Sequence, residues 1–164
     1  MRTAVAAAVV AAALLSGCDG PPANSKQTLK ALSATRVIAV PPPGATEIGS
    51  AQDPGSTSSV AARDPGAEKV FATAQSIGEV VSYYERTYPE YRFIQELSPV
   101  PQGKQLMGSA GWANILVDVS PGQPDLADAP YFHIKLSPAP PTATAYVVAI
   151  ALGQQPTGAT ASTS

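Results

Sequence analysis

A chain of 164 residues with 17 Pro, 13 Gly and only 13% charged residues has room for one domain of ordinary size, with length to spare at its ends. A formal net charge of −2 without a basic cluster argues against a nucleic-acid partner. The lone cysteine rules out an internal disulfide and any metal site built on several thiolates.

Arg2 supplies a positive charge, residues 4–15 are apolar throughout, and Ser16 and Gly17 are small. Basic start, short apolar stretch and small residues before a cut form the three-part pattern of an export signal. The stretch is too short to be a good permanent anchor, since crossing the hydrocarbon core takes about 20 apolar residues. Leu15-Ser16-Gly17-Cys18 resembles the lipobox of bacterial lipoproteins. The resemblance implies a diacylglyceryl group (palmitate-type acyl chains) on the Cys18 thiol, cleavage after Gly17, and a domain on the extracytoplasmic side of a bacterial membrane. The chemistry agrees, because a thiolate is the side-chain nucleophile suited to forming a thioether. Each buried acyl methylene contributes about 0.8 kcal/mol, so two or three chains hold durably. The alternative is a plain secretory signal cut near Ala11-Ala12-Ala13.

Residues 18–35, after the signal peptide at 1–17, read as an acylated cysteine and flexible tether, small and polar with Pro21-Pro22 near the start. A domain is expected over 36–152. Residues 36–40 (Arg-Val-Ile-Ala-Val) suggest a first strand, halted by Pro41-Pro42-Pro43-Gly44. A long loop at 41–67 follows, punctuated by Asp53-Pro54-Gly55 and Asp64-Pro65-Gly66, both strong turn signals.

Residues 70–73 suggest a short strand. Ser76 and Glu79 then match a capping box, and Ile77, Val80, Val81, Tyr84 and Tyr88 share one helical face up to Pro89. Strands are expected at 91–97, 112–120, 131–136 and 144–152, the last apolar throughout and suited to a covered central position. The connectors at 98–111, 121–130 and 137–141 read as hairpin loops, and 153–164 as a disordered tail. These elements predict an α+β fold, with one helix packed on a small antiparallel sheet of about four to five strands. The expected core is Ile77, Val80, Val81, Tyr84, Phe93, Ile115, Val117, Ile134, Val148 and Ile150. The run from Val70 to Phe93, with its Ser-x-x-Glu-Val-Val-x-Tyr-Tyr string, resembles a pattern seen in small secreted bacterial proteins of unknown role, and that resemblance implies no activity.

Candidate chemistry is sparse. His133 is the only histidine, and beside Asp125 and Asp128 it falls short of the four N or S ligands of a structural zinc site. Ser109, between Gly108 and Ala110-Gly111, lacks the Gly-x-Ser-x-Gly spacing of a nucleophile elbow, and nothing in the spacing favours a trio with His133 and Asp118 or Asp128. Residues 44–50 lack the lysine of a phosphate loop, Gly49 standing in its place. Among the aromatics, Tyr84 and Tyr88 fall on the core face, while Tyr83 and Trp112 are candidates for a binding surface, half wet and half buried.

No catalytic set, metal or cofactor is therefore expected. The sequence reads as a lipid-anchored cell-envelope protein that is not an enzyme, its partners being the membrane, through the lipid on Cys18, and another envelope protein. The alternative is a small-molecule or lipid carrier with an apolar pocket between helix and sheet.

Overall fold

The computed structural model describes residues 25–56, 63–123 and 134–153. The elements run α1 (Ser25–Ser33), α2 (Arg36–Ala39), β1 (Thr46–Asp53), β2 (Gly66–Thr73), α3 (Ile77–Thr87), a 3-10 turn (Pro89–Tyr91), β3 (Ile94–Leu97), β4 (Lys104–Ala110), β5 (Ala113–Ser120) and β6 (Ala145–Gly153). The strands form one sheet in the order β1-β2-β6-β5-β4-β3, with every neighbouring pair antiparallel. β1 and β2 make a hairpin. α3 then carries the chain to the far edge, and β3 to β6 meander back until β6 pairs with β2.

The fold is thus mixed α and β but mostly sheet: six strands rather than four to five, and three helices rather than one. On the helix face, Leu32 of α1, Val37 and Ile38 of α2, and Val80, Val81 and Tyr84 of α3 pack on Phe71, Leu106, Ile115, Val117, Val119 and Val147. Alternation sends the next residues to the back face. There Ile48, Val70, Ala72, Tyr146 and Val148 are covered by Ile134, Leu136, Ala139 and Ala143 from the non-strand segment 134–143. Ile134 and Val148, expected in a single core, therefore belong to a second apolar layer.

α3 forms where its capping box places it. The Glu79 amide donates to Ser76 Oγ (3.3 Å), and the Ser76 amide donates to Glu79 Oε2 (2.8 Å). β5 and β6 also lie close to their expected spans, with β6 central and packed on both faces.

Elsewhere the structure differs. Residues 25–33, expected within the tether, form α1, whose Leu32 is fully buried. Residues 36–40 carry one short helix instead of a strand. Val37 and Ile38 bury against the sheet as a helical pair, and that packing overrides their β preference. The 41–67 loop contains β1 and the first residues of β2. β1 carries a single deeply buried apolar side chain, Ile48, so it lacks the alternation that marks a strand.

The connector 98–111 contains β4, where Gly108 looks like a turn residue but serves packing. A Cβ there would come within 2.6 Å of the Tyr91 carbonyl oxygen and 3.0 Å of the Phe93 ring. The turn itself falls at Gly111, whose φ is +59°. Of the expected strand at 131–136, residues 134–136 are not strand, and 131–133 lie outside the described residues.

Candidate functional site

Among the described residues, four large hydrophobic side chains stand in solvent: Val40, Ile94, Leu97 and Met107. Three of them lie on β3 and β4, at the end of the sheet away from the 134–143 cover. Ile94 pairs with Met107, Met107 with Leu116 and Leu116 with Ile150, so register lines them up across the back face. Directly opposed side chains in such a ladder stand about 5 Å apart, which makes the row one continuous apolar strip. Exposure rises along it toward the edge, from 5% at Ile150 through 41% at Met107 to 66% at Ile94.

A polar row runs beside the strip, with Glu96 paired to Gln105 and Gln105 to Asp118. The Ser98 hydroxyl donates to Asp118 (3.0 Å to either oxygen), and Gln105 Nε2 donates from 3.4 Å. Desolvation raises the Asp118 pKa, and those two hydrogen bonds oppose the rise. β3 closes this end of the sheet, all four of its residues are exposed, and no strand pairs with its outer side among the described residues.

The other edge is guarded. β1 carries a bulge between Glu47 and Gly49, and the Ser137 amide donates to the Ile48 carbonyl (2.7 Å). Its charges are engaged within the hairpin, Glu47 with Lys69 at 2.7 Å and Asp53 with Arg63 at 3.3 Å. Such devices blunt an edge against strand addition, and among the described residues β3 has only its shortness and one acidic side chain.

Tyr83 and Trp112 are not brought together by any ring contact. Tyr83 joins Tyr84, Tyr88, Tyr91 and Phe93 in a chain of rings whose centroids lie 5.4–5.9 Å apart. Its hydroxyl lies 3.2 Å from both the Pro41 carbonyl oxygen and the Tyr88 hydroxyl, and Tyr88 donates to the Val40 carbonyl (3.0 Å). The phenols thus satisfy carbonyls at the C-terminal end of α2, while the Arg36 guanidinium lies over the Tyr88 ring. Burial raises the Tyr84, Tyr88 and Tyr91 pKa values. Trp112 sits in the β4–β5 turn, its ring 2.8 Å from where a Cβ on Gly153 would lie.

Cys18, His133, Asp125 and Asp128 lie outside the described residues. Ser109 is a β4 residue paired with Asn114, and Asp118 lies four residues further along β5, roughly 13 Å away at strand rise. Those two side chains therefore form no catalytic pair. Among the described residues no group of three or more His, Cys, Asp or Glu side chains could hold a metal, and no helix is long and apolar enough to cross a membrane.

Between helices and sheet, where an apolar ligand would have to sit, Leu32, Phe71, Tyr84 and Tyr88 are themselves fully buried. An open cleft of about 360 Å³ lies between the helices and β1–β2, lined by Ser33, Ile38, Ser50, Gln52 and Lys69 among others. Two of its polar side chains are paired to protein, Gln52 donating to Ser33 (2.6 Å) and Lys69 to Glu47 (2.7 Å), and Glu68 of β2 also lines it.

The row of Ile94, Met107 and Leu116 is invisible in the sequence, because residues 98–111 read as a connector and without β4 there is no register to align it. No known protein-family model, curated protein or solved structure matches this chain.

Proposed function

We propose that this chain is a lipid-anchored cell-envelope protein whose domain works as a non-enzymatic interaction module, meeting a protein partner at the β3 end of its sheet. One observation carries the binding half: an aligned apolar strip opens onto an edge strand that no other strand pairs among the described residues, and paired or covered surfaces make up the opposite edge. Exposed apolar area gathered in one place, with a polar row beside it, is the composition of a contact surface rather than of scattered surface hydrophobes. The anchoring half rests on the lipobox at Leu15-Ser16-Gly17-Cys18.

The test is site-specific photocrosslinking in native membranes from position 107 of the full chain, in the parent, Cys18→Ala and Ile94→Asp forms. The reading expects one dominant crosslinked protein, depleted by loss of the anchor and by the charge at position 94. Recovery of only lipid and bulk envelope proteins would overturn it.

A further inference from the structure

We infer that the partner binds by adding an antiparallel β-strand to β3, through a segment reading apolar, basic, polar, apolar from its N- to its C-terminus. This rests on the interaction-module reading above and names the chemistry of the partner.

The outer edge of β3 offers backbone donors and acceptors that no strand engages among the described residues. An extended segment satisfies them and gains specificity from the side chains on either face. Register dictates those side chains, because directly opposed residues share a face. A residue opposite Ile94 extends the back-face strip of Ile94, Met107 and Leu116, and so is apolar. A residue opposite Glu96 meets a carboxylate that has no ion pair among the described residues, with Asp118 two strands further in along the same row. A lysine or arginine fits there.

On the helix face, Gln95 already donates to Glu85 (2.6 Å) and favours a polar neighbour. Leu97, 88% exposed, favours an apolar one. An antiparallel strand meets Leu97 first and Ile94 last, which sets the order of the motif.

A second copy of the chain does not fit. Extending the sheet through a two-fold axis keeps back-face residues opposite back-face residues. The registers that overlap most of β3 then set Ile94 against Glu96, or Glu96 against itself. The first buries a carboxylate against an apolar side chain, and the second opposes like charges. A register centred on Ile94 needs Arg92 to be extended, and Arg92 is left-handed at φ 50°. The partner is therefore a different chain.

The experiment uses the full 15N-labelled chain in detergent and a synthetic peptide of about ten residues with Leu-Lys-Thr-Val at its centre. Amide shifts centred on residues 94–97 are expected on titration. Replacing the peptide lysine with glutamate should weaken binding about tenfold, and Glu96→Lys should restore it. N-methylation of alternate peptide amides should abolish binding while leaving every side chain in place. If the peptide does not bind, if lysine and glutamate versions bind equally, or if shifts fall elsewhere, strand addition is wrong. Should crosslinking from position 107 still capture one partner in that case, the interaction-module reading survives and only this inference falls.

Discussion

Glu68 sits on the back face of β2, paired with Ile150 of β6 and Ala51 of β1, and is 1% exposed. Among the described residues neither carboxyl oxygen has a hydrogen-bond partner, and the nearest cation in sequence, Lys69, points to the helix face and is bound to Glu47. Burial alone pushes its pKa up from 4.5 to about 7. In the unfolded chain the group loses its proton near pH 4.5, in the native protein near pH 7. Between those values the native state holds the extra proton, so stability falls as pH rises through that window and levels off above it. At about 1.4 kcal/mol per unit the loss is on the order of 3 kcal/mol. Asp118, also raised by burial, adds a slope of the same sign. Glu68→Gln should therefore be more stable than the parent at pH 8 and gain less at pH 4.5, as read from urea midpoints at several pH values. Parallel pH curves for the two proteins would show that Glu68 reaches a partner or water when it ionises.

α3 is the element whose local chemistry and tertiary role agree most closely. Ser76→Ala removes the side-chain acceptor for the Glu79 amide and should cost about 1 kcal/mol, seen as an earlier thermal or urea midpoint. The Glu79 pKa is lowered chiefly by its hydrogen bonds with Ser76, so its share of the cap is present above the ordinary carboxylate range and lost as pH falls through the lowered value. A midpoint unchanged in Ser76→Ala would mean that packing alone sets the start of α3. This helix was legible because cap, period and Pro89 all lie within one stretch of sequence. β5 and β6 were legible because both carry apolar side chains in numbers. β1 and β4 were not, and their glycines explain why. At Gly49 a Cβ would meet Ile134 within 2.6 Å, as at Gly108 it would meet the Tyr91 carbonyl. Both glycines are dictated by neighbours distant in sequence, so in isolation they look like turn signals. The candidate surface was hidden for the same reason, since Tyr83 and Trp112 are conspicuous as residue types whereas Ile94 and Met107 become a pair only through register.

At the scale of the molecule, α1 changes where the domain begins. Residues 18–35 were expected to be a tether, yet Thr28 and Leu32 of α1 are buried and Leu32 packs in the helix-face core. If Cys18 carries lipid, at most residues 18–24 separate the anchor from α1, a span of no more than about 25 Å when fully extended. The folded unit is then held close to that anchor, which limits how far the β3 edge reaches for a partner. This arrangement requires α1 to be part of the folded unit, which gives its own test. Leu32→Ala in the full chain should cost about 2–5 kcal/mol, as for other fully buried leucines, whereas truncating the exposed Val40 to alanine should change little. If Leu32→Ala unfolds at the same urea concentration as the parent, α1 adds nothing to the core. The domain would then begin near Arg36, and the longer tether would let the β3 edge reach partners further from the membrane.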